Sequence, residues 1–160
     1  MPGKKKRVIR GRAKTPSAKS TPKPRRPAPA VARRRIVDPG WAWDDRLPLA
    51  QGKQIGNTIY VSGQIAYDSD GKLVGAGDMK AQTRQVFDNI RNVLESAGSG
   101  LKDIVKINTY ITDGSKFMDM LAVRGEIFGD DPPASTAVVV AALAFPALLI
   151  EVEAIAITRA

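Results

Sequence analysis

From Gly52 onward the apolar and polar positions first follow a strand pattern and then a turn. "NTIYVSGQIAY" is rich in β-branched and aromatic residues, and "DSDG" at 68–71 has turn composition. "KLVGAGD" then runs out through two glycines, and Asp78 is placed to cap the helix that follows. Over about 79–97, Val86, Ile90, Val93, Leu94 and Ala97 recur at i, i+4, i+7, i+8 and i+11, one apolar stripe at helical period. Gly98 and Gly100 end it. "DIVKINTYIT" predicts a strand with Val105, Ile107, Thr109 and Ile111 on its drier face and Lys106, Asn108 and Tyr110 on the other. Ser115 is expected to cap a second helix through Phe117, Met120, Leu121, Arg124, Ile127 and Phe128, which Gly129 and the "DDPP" corner stop. Two last strands are expected at about 136–143 and 148–158, on either side of "AFP".

The order β, β, α, β, α, β, β predicts an α+β fold in which both helices pack on one face of a mixed sheet. No third helix is available for the other face. A second copy of the same sheet would cover it, so a homo-oligomer is expected.

Composition changes the picture at the start of the chain. Residues 1–35 hold 14 of the 25 Lys and Arg and none of the 16 acidic residues, which leaves 11 − 16 = −5 for residues 36–160. The same segment has six of the 11 prolines and almost no large apolar side chain, so 1–35 reads as a disordered basic tail and 36–160 as the domain. A solvated tail is the first reading. Salt-sensitive, non-specific nucleic-acid contact through residues 1–35 is the second, with "KKKR" at 4–7 and "RGR" at 10–12 as its candidate patches. An organellar targeting role is a third, but the apolar face such peptides use is missing.

The chain has no Cys and no His, which excludes a disulfide framework, thiolate chemistry and a Ser-His-Asp triad. Carboxylates, hydroxyls, Lys, Arg and backbone N–H groups must do any chemistry, and no cofactor is implied. No apolar run reaches the roughly 18–20 residues of a membrane span, so a cytoplasmic protein without membrane contact is expected.

The segments "GNTIYVSGQIAYDSDGKLVG", "NIRNVLESAG", "IVKINTYITD", "PPASTAVVV" and "IEVEAIAI" come in an order and spacing that resemble the RidA/YjgF family of enamine/imine deaminases, over roughly 47–158. The resemblance implies a chorismate-mutase-like fold, a homotrimer with clefts between subunits, and a small carboxylate or imine ligand. It also implies, in the active branch, hydrolysis of 2-imino acids to 2-oxo acids and ammonia. Matched to the family, Ser62 and Gly63 would bind substrate, and Glu151 would orient a water toward the imine carbon. An imine is already electrophilic, so a carboxylate suffices as base.

Two positions depart from the family pattern. Ser135 in "PAS" stands where active members carry the arginine of "PAR" that clamps the substrate carboxylate, and Leu49 in "LPLAQ" stands where they carry the tyrosine of "GPYSQ". Replacing a bidentate arginine by serine would weaken substrate binding on the order of 10- to 100-fold. The function expected is thus a Rid-family protein binding a small carboxylate or carbonyl metabolite, with altered or weak deamination of enamines and imines. The alternative is a non-enzymatic ligand-sensing or nucleic-acid-associated trimer that uses its basic tails.

The remaining candidates each have a plainer reading. Glu151 and Glu153 share a strand face about 7 Å apart, where their repulsion would be about 2 kcal/mol. Glu151 is the candidate for the cleft, and Glu153 the candidate for a structural role. Arg124, on the stripe of the second helix, either reaches one of these glutamates or replaces the missing clamp, or else is an ordinary arginine whose stem covers the helix edge. Asp44–Asp45 and Asp130–Asp131 read as capping and solvated groups rather than metal ligands. Trp41 and Trp43 of "WAW" read as a tether of the domain's start to its own core.

Overall fold

The computed structural model describes residues 33–43 and 47–158. Its strands are β1 (Arg34–Val37), β2 (Gly52–Ile55), β3 (Thr58–Ile65), β4 (Ile104–Ile111), β5 (Ala134–Val139) and β6 (Ile150–Ile157). Helix α1 (Met79–Ser96) falls between β3 and β4, and α2 (Phe117–Phe128) between β4 and β5. The strands form one mixed sheet in the order β1-β2-β3-β6-β4-β5. Only β4 and β5 run parallel; the other pairs are antiparallel.

The expected order holds from β2 onward, with β1 added ahead of it. The β signal that starts at Gly52 divides into β2 and β3 around Gly56, whose φ of +62° suits the two-residue hairpin between Ile55 and Thr58. "KLVGAGD" contributes only a single bridge, Tyr67 with Leu73. β1 starts at Arg34 and so crosses the expected boundary after residue 35. The candidate patches at 4–7 and 10–12 lie outside the described residues, as do Asp44 and Asp45.

Asp78 caps α1 by accepting the Ala81 N–H at 3.1 Å. The apolar stripe then faces inward, with Val86, Phe87, Ile90, Val93 and Leu94 fully buried against β3 and β6. Ala97 closes the helix and is only partly buried. The second helix begins differently from the expectation. Asp113 accepts both the N–H and the hydroxyl of Ser115, at 2.9 and 2.6 Å, capping a 3-10 turn over Gly114–Lys116. Ser115 is therefore a donor inside that turn, and α2 starts after Lys116 with no side-chain cap. The Ser115 hydroxyl also holds the Asp113 carboxyl below its ordinary range.

β4 corrects a second expectation. Its pairing with β6 slips between Ile104 and Lys106, so Ile104 is buried and Val105 is 44% exposed, while Ile107, Thr109 and Ile111 stay inside. Among the described residues no helix is long and apolar enough to cross a membrane.

Candidate active site

A second slip, in β3, builds the site. Val61 faces Ala154 and Gln64 faces Val152, so Ser62 and Gly63 together oppose the single residue Glu153. The buried positions accordingly pass from Ile59 and Val61 to Gln64 and Ala66, which leaves Ser62 and Gly63 both exposed. Glu151 of β6 lies beside them. A Cβ on Gly63 would fall 1.9 Å from Glu151 Oε1, so glycine is needed here to let the carboxylate lie against the backbone.

The Ser62 hydroxyl donates to Ala50 O at 2.6 Å and its N–H donates to Gln51 O at 2.9 Å. Both Ser62 donors are thus engaged in pinning the segment before β2 to the bulge. Gln64 Nε2 continues this link by donating to Gln51 Oε1 at 2.8 Å and to Ser62 O at 3.1 Å.

The two glutamates have different surroundings. Glu153 accepts from Asn108 Nδ2 at 2.6 Å and, more distantly, from the Tyr110 hydroxyl at 3.4 Å. Its carboxylate holds the Tyr110 phenol above the ordinary range, with burial adding to the effect. Glu151 is half-buried, and its carboxylate accepts no hydrogen bond from the described residues. Burial first, and the charge of Glu153 second, push its carboxyl up. A carboxylate raised toward the working pH and lacking a partner can hold a water and take its proton.

Glu151, Ser62 and Gly63 line a cavity of about 490 Å³ together with Leu49, Asn89 and Phe145. α1 fixes its walls. Asn89 Nδ2 donates to Ile65 O and Tyr67 O at 2.9 and 2.7 Å. Gln82 Nε2 donates to Ala147 O at 2.9 Å and Gln82 Oε1 accepts from Leu149 N at 2.8 Å, which ties the β5–β6 connection to the helix. A separate hollow of about 520 Å³ runs over Lys53, Tyr60, Lys106 and Glu153 but does not include Glu151 or Gly63.

Ser135 and Arg124 lie elsewhere in the subunit. Ser135 pairs with Ile107 on the edge strand β5, exposed and separated from β6 by β4. Arg124 reaches the Met120 sulfur at 4.0 Å, its Nε is buried with no acceptor among the described residues, and burial lowers its pKa. It meets neither glutamate, because α2 lies beside α1 over the inner face while Glu151 and Glu153 project from the other. Trp41 is buried in the core and stacks on Trp43 at 6.1 Å. Asp130 and Asp131 are exposed, and no cluster among the described residues could hold a metal ion.

Sequence reasoning missed Gln51, Gln64, Asn89 and Phe145. Gln64 is at an inward position of β3, Asn89 is on the buried side of α1 and Gln51 is just ahead of β2, and only their buried setting shows that they organise the cavity.

Residues 43–158 match the family described as Endoribonuclease L-PSP. A RutC family protein of Pyrococcus abyssi is 43% identical over 109 residues, 68% of this chain and 85% of that protein. A putative endoribonuclease of Thermotoga maritima superposes with a TM-score of 0.72 at 36% identity, covering 79% of this chain and 98% of that one. The YjgF gene product of E. coli superposes with a TM-score of 0.72 at 33% identity, covering 78% and 99%.

Proposed function

This chain belongs to the RidA/YjgF family, and on that premise we propose that it hydrolyses enamines and imines in clefts completed by neighbouring subunits of a homotrimer. The observation that carries the reading is the unpartnered, upward-shifted Glu151 carboxylate lying over Gly63 at the wall of the cavity. A water held by Glu151 attacks the imine carbon. Its proton passes to the carboxylate, and the C=N electron pair goes to nitrogen, which takes a proton from solvent. Glu151 then gives its proton to the amino group as the C–N bond of the resulting carbinolamine breaks, the hydroxyl releases its proton to solvent as C=O forms, and ammonia and a carbonyl product leave.

By the family pattern Ser135 stands where clamped relatives carry arginine, and from the edge strand β5 it would serve the cleft of a neighbouring subunit, so a 2-imino acid would be bound more weakly than in those relatives. RNA cleavage, which the family's description carries, would call for cations on a phosphate. The described lining of the cavity supplies Glu151, the carboxylate that the imine reading needs as a base. The tail of residues 1–35, at +14 with no acidic residue, supports a second role in non-specific polyanion contact. Removing residues 1–32, which leaves β1 whole, should abolish that contact and leave imine hydrolysis in place.

The primary test follows decay of a 2-imino acid generated in situ. The protein should accelerate decay, Glu151→Gln should lower the rate about 100-fold or more, and Ser135→Arg should tighten binding about 10-fold or more. No acceleration by either the parent or Ser135→Arg would remove the deaminase reading.

A further inference from the structure

We propose that the cleft selects substrates with an aromatic or bulky aliphatic side chain on the imine carbon, through a surface made by Trp43, Leu49 and Phe145. This rests on the deaminase reading and names the substrate class of that site. The wall is a row of rings: Trp43 meets Tyr67 edge-on at 6.1 Å, and Tyr67 meets Phe145 at 5.7 Å. Each ring is anchored from behind. Trp43 stacks on buried Trp41 and packs its Cβ against Gly71, where φ is +78° and an added Cβ would approach to 3.0 Å. Asn89 holds the Tyr67 carbonyl, and Phe145 O accepts the Leu148 N–H at 3.1 Å in the connection that Gln82 ties to α1.

What this backing presents to the cavity is apolar and uncovered. Leu49 is 53% exposed and Phe145 49%, and both line the same space as Glu151 and Gly63. An imine carbon placed at the Glu151 end leaves its side chain against these residues, where a ring covers apolar surface and a methyl group covers little. The volume of about 490 Å³ lies in the usual range of roughly 300–1,000 Å³ for small-molecule sites.

The test uses the full chain and 2-imino acids generated in situ from phenylalanine, leucine and alanine. kcat/KM should favour the benzyl over the methyl side chain about 10- to 100-fold. Phe145→Ala should compress that ratio roughly tenfold, and Phe145→Tyr should restore it. Binding is read separately from turnover by quenching of the two tryptophans, with phenylpyruvate expected to bind more tightly than pyruvate by a similar factor. Hydrolysis without side-chain preference would overturn the selection and leave the deaminase reading standing. No hydrolysis of any imine, with a phenylpyruvate preference lost in Phe145→Ala, would overturn the deaminase reading and keep the selection. A Phe145→Ala variant that lowers the sedimenting mass with no change in either ratio would assign the wall to a second copy of the chain and overturn the proposal.

Discussion

On the helix-covered face of the sheet, Ile107, Ile150, Val152 and Ala156 are fully buried, while Tyr60, Val105, Val138 and Ile157 of the same sheet are 43–46% exposed. Both sets are largely apolar, so hydrophobicity alone does not separate them. What separates them is cover: α1 closes one face from within the chain, whereas no helix among the described residues lies on the other. The polar groups follow the same division. Glu151, Glu153, Ser62 and Gly63 all stand on the side that α1 leaves open, where a ligand or another subunit can approach. The finished face gives stability, and the unfinished one holds the candidate site.

The largest expected effect tests that division directly. Phe87→Ala, beneath α1, should lose about 3–5 kcal/mol in urea unfolding, and Tyr60→Ala less than about 1 kcal/mol at the level of the isolated subunit. Tyr60→Ala should instead lower the sedimenting mass. Equal losses of stability would break the comparison. Next in size is Gly63→Ala, which forces the Glu151 carboxylate out of its place. A fall in turnover of about 100-fold is expected, with a smaller shift in unfolding midpoint than Phe87→Ala gives. Turnover near that of the parent would show that Glu151 works from another position.

Smaller still is the pH effect. Because the folded state raises the Glu151 carboxyl above its ordinary value of 4.5, the acid limb of turnover should lie above that value. Glu153→Gln removes one cause of the shift and should move the limb to lower pH. The folded state also binds this proton more tightly than the unfolded chain. Stability from that linkage is therefore present below 4.5 and lost as pH rises through the raised value. Glu151→Gln should flatten this slope, modestly, since the group is half-exposed.

The parts legible in the sequence are those governed by one period. The stripe of Val86, Ile90, Val93 and Leu94 predicts α1, and the alternation of Ile150 to Ala156 predicts β6. Val105 fails because one extra residue in β4 resets the alternation, and no residue type in "DIVKI" announces a slip. Ser115 fails because Asp113, two residues earlier, is the stronger acceptor and takes the capping position. The family-based pairing of Glu151 with Ser62 and Gly63 leads to three residues that do meet in one cavity. Arg124 does not join them, since helical spacing tells which stripe a residue is on but not which side of the sheet that stripe covers. The ring row of Trp43, Tyr67 and Phe145 joins three distant segments, and nothing local in any of them signals the other two.

The position of β6 in the sheet also sets when the molecule can become complete during synthesis. It is made last of the six strands, yet it inserts between β3 and β4, near the middle of the order. Until residues 150–157 leave the ribosome, β1-β2-β3 and β4-β5 are two unjoined sheets, each with a bare edge open to mispairing. Glu151 arrives on the strand that joins them. A stalled or shortened chain therefore has neither a joined sheet nor Glu151, and the fold and the candidate site are completed together.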